Sequence, residues 1–215
     1  MSENLKINKY IKAEKDRIEK YGYKLHGNAF YKIENDIYFC FRFQNLTSVH
    51  FDYYFIPLFI KSEFEYFTYG GSKNNLKRNE TGEGYPEYVN DVFSFIENEV
   101  IPFYDSISEP KKLLSIMKYH NKTFKRFVGF WNAFPEYSEL ILKLYLELYT
   151  GKKREYLKDA KIIAELLKDK TQESLDTYYK DFIEAKPLLN MSEDEIQLIL
   201  KENVNYSKTA LKLKE

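Results

Sequence analysis

Along this chain the spacing of apolar residues shifts from helical to alternating and back to helical, and each shift predicts a change of element. In residues 5–21, Ile7, Tyr10, Ile11, Ile18 and Tyr21 recur close to every third or fourth position, with Lys and Glu between them. That spacing predicts one amphipathic helix. Gly22 predicts its end, because glycine enters the left-handed conformation at a helix C-terminus without steric penalty. Residues 23–69 turn to period two and become rich in Phe and Tyr, which suits half-buried strands. Gly27-Asn28 and Glu34-Asn35-Asp36 supply turn residues. In residues 37–44, Ile37, Phe39, Phe41 and Phe43 fall on one face and Tyr38, Cys40, Arg42 and Gln44 on the other. In residues 49–56, Val49, Phe51, Tyr53 and Phe55 oppose His50, Asp52 and Tyr54. A one-residue slip would turn every apolar side chain to the wrong face, so a three-residue loop, Leu46-Thr47-Ser48, is required. It sets Phe43 opposite Phe51, Phe41 opposite Tyr53, Arg42 opposite Asp52 and Gln44 opposite His50. Pro57 predicts that the second strand ends, bends or lies at an edge. Residues 63–69 are expected to complete an antiparallel meander, and the Gly- and Asn-rich residues 70–84 to form a long loop, a feature that is often functional or disordered.

Beyond Tyr85 the period is helical again. Pro86 suits a first helical position, and Val89, Val92, Phe93, Ile96 and Val100 form an apolar stripe. Ser108 and Pro110 predict the start of a helix through Leu113, Leu114 and Met117. Further amphipathic helices are expected over residues 135–149, 153–168 and 174–186. In the second of these, Tyr156, Ala160, Ile163, Ala164 and Leu167 share a face. Gly151 spaces two of them as an αα-hairpin, and Ser192 with Glu195 has the pattern of a capping box. The fold class expected is α+β: an N-terminal helix and an antiparallel β-meander packed with a helical C-terminal half. The division expected is an α+β unit over residues 1–107 with a helical region over 108–215 docked on it, and the helices are expected to cover the Phe-rich face of the sheet.

The segments Tyr21-Gly22-Tyr23-Lys24, Gly27-Asn28-Ala29-Phe30-Tyr31 and Phe41-Arg42-Phe43-Gln44, with Ile101-Pro102-Phe103-Tyr104 further on, resemble a bacterial family catalogued only as domain of unknown function 4304. The resemblance covers about the first half of the chain. It implies an α+β fold and supplies no catalytic residues.

Composition narrows the partners. Lys+Arg and Asp+Glu are 33 each, so no net field draws the chain to phosphate backbones or anionic lipid. The densest basic stretch, Lys118, Lys122, Lys125 and Arg126, reads as a solvated helix end or loop. Apolar runs are too short for a membrane span, which needs roughly 20 residues. With Cys40 as the single cysteine, no intrachain disulfide can form, and the polar, Lys-rich start lacks the apolar core of a signal peptide. A cytoplasmic protein is expected.

Candidate chemistry is sparse. His26, His50 and His120 lack a second His or Cys at metal-ligand spacing, and no cofactor or metal is expected. Cys40 among aromatics reads as a small hydrophobe. Gly70-Gly71-Ser72-Lys73 lacks the spacing of a phosphate-binding loop. Aromatic strands can stack nucleic-acid bases, but Lys24, Lys32, Arg42 and Lys61 are matched by Glu34, Asp36, Asp52, Glu63 and Glu65, so no nucleic acid is expected. The best constellation is Arg42, Gln44, His50 and Asp52 on one hairpin face, bordered by Tyr38 and Tyr54. As a recognition surface it combines a planar guanidinium fork with amphipathic rings. As plain structure it is a cross-strand ion pair on a solvated sheet. The expected function is non-enzymatic binding of another protein, of inhibitor or immunity type. The alternative is a hydrolase-like enzyme at this hairpin face and the 70–84 loop, with Ser48 or Cys40 as its nucleophile.

Overall fold

Residues 5–21, expected as one helix, form two, α1 (Asn4–Ala13) and the single turn α2 (Asp16–Glu19). This is a computed structural model, and it describes residues 4–45, 48–62, 69–77, 83–130 and 135–213. At the break, the amides of Lys15, Arg17 and Ile18 donate to carbonyls three residues back rather than four. The tightened turn still buries Ile18 with Ile7 and Ile11. It also sends Arg17 to Glu97, through Nε at 3.0 Å and Nη2 at 2.5 Å. Gly22 follows at φ 86°, the left-handed exit expected of it.

The strands β1 (Lys24–His26), β2 (Ala29–Glu34), β3 (Ile37–Asn45), β4 (Ser48–Pro57), β5 (Tyr69–Lys77) and the two-residue β6 (Gly129–Phe130) form one sheet in chain order. Every neighbouring pair is antiparallel. Asn35 and Asp36, at φ 48° and 61°, make the two-residue β2–β3 turn, whose left-handed backbone matches strand twist. The β3–β4 register is the one the alternation demands: Phe43 faces Phe51, Phe41 faces Tyr53, Arg42 faces Asp52 and Gln44 faces His50. Leu46 and Thr47 of that loop lie outside the described residues. Pro57 is the last residue of its strand, after which the Leu58 amide turns to the Asp36 carbonyl at 2.9 Å.

The fourth long strand corrects the expectation of a 70–84 loop. Residues 69–77 are β5, paired to β4, while residues 63–68, expected as a strand, lie outside the described residues. Strand interiors tolerate glycine where another backbone or ring comes close. A Cβ on Gly70 would lie 2.7 Å from the Tyr54 Cα, and one on Gly71 would lie 2.6 Å from the Tyr53 ring. The glycines admit β4's tyrosines.

The helical part begins with α3 (Tyr85–Phe95), which runs through a π turn (Ile96–Val100) into α4 (Ile101–Ser106). Pro102 lacks the amide a regular helix would use there, and the Ile101 amide reaches back five residues to Ile96. The helices α5 (Pro110–Tyr119), α6 (Asn121–Phe127), α7 (Pro135–Tyr149) and α8 (Lys153–Leu167) follow. Gly151, at φ 74°, separates the last two. The helix expected over 174–186 is split at Tyr179 into α9 (Gln172–Tyr178) and α10 (Lys180–Ala185), then a short 3-10 turn (Lys186–Asn190). Last comes α11 (Glu193–Ala210), whose Ser192 and Glu195 form both bonds of the capping box. On α8, Ala164 is exposed, and Asp159 takes the expected place on the buried face.

Helices cover the Phe-rich face of the sheet. Phe93 stacks on Phe43 at 5.9 Å, and Tyr104 lies 4.8 Å from Phe39 and 5.4 Å from Phe41. The architecture is α+β. Buried apolar residues from Ile7 to Val204 form one cluster, so residues 1–107 and 108–215 share a core. Tyr149 joins the two stretches by donating to Asp36 at 2.8 Å and stacking on Phe59 at 4.3 Å. Among the described residues, no helix is long and apolar enough to cross a membrane.

Candidate functional site

Strand alternation places Arg42, Gln44, His50 and Asp52 on the face opposite Phe41, Phe43 and Phe51, and all four are partly buried. Asp52 accepts a hydrogen bond from Gln44 Nε2 at 2.9 Å. The Arg42 guanidinium sits 5.8 Å over the Tyr54 ring. Burial pushes the Asp52 carboxyl up, opposed by the Gln44 hydrogen bond and by His50 and Arg42. The result is a short strip of oriented donors and acceptors across two strands.

Its expected border is different. Tyr38 is 2% exposed and Tyr54 is fully buried, so neither ring offers contact area. Between them lies Cys40, whose thiol hydrogen-bonds with the hydroxyls of Tyr54 and Tyr38. Burial pushes this thiol up against those bonds, which removes thiolate character and with it nucleophilicity. The side chain of Ser48 lies outside the described residues.

The strip gains a member that sequence reasoning missed. Because β5 pairs with β4, Ser72 stands directly opposite Asp52, and it is exposed. The available signal was Gly70-Gly71, two side-chain-free positions matching Tyr53-Tyr54 on the preceding strand.

A second polar cluster, also missed, joins α5, α7 and α8. Lys118 pairs with Glu147 at 2.7 Å, and Lys143 pairs with Asp159 at 2.5 Å and with Glu147 at 4.0 Å. Glu147 is fully buried and Asp159 nearly so. Burial pushes the Glu147 carboxyl up, with Lys118 and Lys143 opposing and Asp159 adding. The signals were an acid inside the apolar run Leu144-Tyr145-Leu146-Glu147-Leu148, and Asp159 between Tyr156 and Ile163 at helical spacing. Two carboxylates against two ammoniums balance, so the cluster reads as a helix fastener. The basic stretch holds the ends of α5 and α6: Lys125 pairs with Glu139 at 3.2 Å and Arg126 with Glu99 at 2.7 Å.

His26 and His120 are exposed and far apart in the chain. Among the described residues, no three His, Cys, Asp or Glu side chains group as metal ligands. Comparison with protein-family models, with curated proteins and with solved structures gives no match.

Proposed function

We propose that the chain is a non-enzymatic, cytoplasmic protein-binding module, of inhibitor or immunity type, that reads its partner through the strip Arg42, Gln44, His50, Asp52 and Ser72. One observation carries this reading. Helices cover the Phe-rich face of the sheet, while on the other these side chains stay at least partly exposed, with Asp52 held by Gln44 and the Arg42 guanidinium lying over the Tyr54 ring. Preorganised polar groups lose little freedom on binding, which is where much of the cost of association lies.

Magnitudes allow a clean test. A cross-strand pair such as Arg42 and Asp52 contributes about 0.2–1 kcal/mol to the fold. An interface hot spot contributes about 2 kcal/mol or more, roughly 30-fold in affinity. Affinity capture from cells of the native species should return one stoichiometric protein. Arg42→Ala and Asp52→Asn, made separately, should each weaken that complex by about tenfold or more with an unchanged melting profile. Equal affinity in both variants would remove the strip from the interface.

A second reading has one observation in its favour: β5 brings exposed Ser72 beside Asp52 and onto the face of His50. In a hydrolase-like enzyme Ser72 would be the nucleophile. A fluorophosphonate probe labelling wild type but not Ser72→Ala would favour it, and absence of labelling would set it aside.

A further inference from the structure

Strand β5 is paired along its length on one side and hardly at all on the other. Toward β4 the pairing runs from Tyr69 to Lys77, whereas toward β6 it covers only Tyr69 and Gly70. The cause is local. Running antiparallel to β5, β6 would reach Gly71 through Val128, and the chain there has just left helix α6 at Phe127. Tyr69 and Gly70 are buried, Gly71 and Lys73 are partly exposed and Ser72 is exposed, so exposure begins where the β6 pairing ends. Among the described residues, no strand pairs with the outer edge of residues 71–77. An edge of that length offers a row of backbone donors and acceptors roughly 23 Å long. At the opposite end of the sheet, the edge strand β1 has only 3 residues.

The charge along the β5 edge has one sign. From Tyr69 to Asn79 the sequence holds Lys73, Lys77 and Arg78 and no acid. Lys73 is held at the sheet by donating to the Asp91 carbonyl at 3.3 Å and by lying 4.7 Å over the Phe95 ring, and among the described residues it has no carboxylate partner. Glu99, which acts on the Tyr53 hydroxyl beside Gly71, is already paired with Arg126 at 2.7 Å. Pairing β5 with β5 of a second copy would bring two sets of cations to one seam, which disfavours it. An extended segment that carries carboxylates suits the edge better, because strand addition draws affinity from the main chain and selects partners by the side chains that alternate along it.

We propose, on the basis of the protein-binding reading, that the outer edge of residues 71–77 takes up an extended acidic segment of the partner protein as an added strand. The added strand lies beside Ser72, where the strip that starts at Arg42 reaches the sheet edge, and its acids meet Lys73.

Amide exchange followed by NMR tests this, with a capped peptide of alternating Glu and Thr, about seven residues long, added to the full chain. The outward-pointing amides of residues 71–77, alternate along the strand, should slow by about tenfold or more at saturating peptide, while the amides already bonded to β4 stay as they were. Raising the salt from about 0.05 to about 0.5 M should weaken the peptide several-fold, and the same peptide with Lys for Glu should leave the edge unprotected. Lys73→Glu should lower affinity for the acidic peptide by about fivefold or more. No protection by the acidic peptide, or equal protection by both peptides, overturns the proposal. Protection that rises with protein concentration in the absence of peptide overturns it in favour of a second copy. Should Lys73→Glu fail to fold, the salt dependence and the lysine peptide decide on the wild type alone. The strip is judged separately: an unprotected edge with Arg42→Ala still weakening the captured complex removes the edge and keeps the strip, whereas a protected edge with that complex unaffected does the reverse.

Discussion

Gly70 and Gly27 are both glycines of the sheet region, yet substitution should affect them for different reasons. At Gly70 the obstacle is the backbone of the neighbouring strand, with Tyr54 Cα 2.7 Å from where a Cβ would sit. Strand β4 is paired on both sides and its backbone cannot step aside cheaply, so Gly70→Ala should cost about 2–3 kcal/mol, as overpacking does. At Gly27 nothing lies within 4 Å, and only its φ of 62° resists a side chain. Gly27→Ala should cost about 1 kcal/mol. Chemical denaturation of both variants measures the contrast. If Gly27→Ala proves the more damaging, close approach is not why β5 carries glycines. Ser72 depends on the same close approach, because the pairing that seats Gly70 against Tyr54 also sets Ser72 against Asp52.

Helix α11 is fixed largely by its first turn. Ser192 accepts from the Glu195 amide, Glu195 reaches back to the Ser192 amide at 2.8 Å, and that contact holds the Glu195 carboxyl low. Ser192→Ala should cost about 1 kcal/mol, read as a lower melting temperature with unchanged helical content, and Ser192→Asp should restore most of it. This cap was legible in the sequence because all its parts lie within four residues. So was the β3–β4 register, since alternation on two strands with one covered face admits a single alignment. The breaks were not. The α1–α2 break ends with Arg17 on Glu97, and the α9–α10 break at Tyr179 leads into a segment held by Tyr137 and Tyr145. These partners are distant in sequence and belong to no local pattern. Strand β5 was missed for the same reason: its composition reads as loop until the tyrosines it faces are known. At the candidate site, Arg42, Gln44, His50 and Asp52 were legible from alternation, whereas the burial of Tyr38 and Tyr54 on that same face was not. Period two says which way a ring points and leaves open what covers it.

At the scale of the molecule, one core spans the sheet and the helices, and the Lys118, Lys143, Glu147 and Asp159 cluster is the charged part of that packing. The pairs at 2.7 Å and 2.5 Å invite the view that they stabilise the helix assembly. The direction of the Glu147 shift argues otherwise. A carboxyl raised despite two nearby lysines has lost more by leaving water than it regains from them. Its folded value lies above the unfolded one, so any stability it contributes is complete at low pH and declines as pH rises and Glu147 ionises. Two substitutions separate the views. Glu147→Ala opens a cavity and strips Lys118 of its partner, and should cost about 3–5 kcal/mol. Replacing both, Lys118→Met with Glu147→Leu, removes the desolvation penalty along with the attraction, and should leave stability within about 1 kcal/mol of wild type or raise it. Urea denaturation at neutral pH compares them. If the double replacement costs as much as Glu147→Ala, the charges are net stabilising and the burial argument fails. If it recovers most of the loss, the cluster serves to align α5, α7 and α8 in one arrangement, since the apolar pair would then hold the helices as strongly without specifying their register.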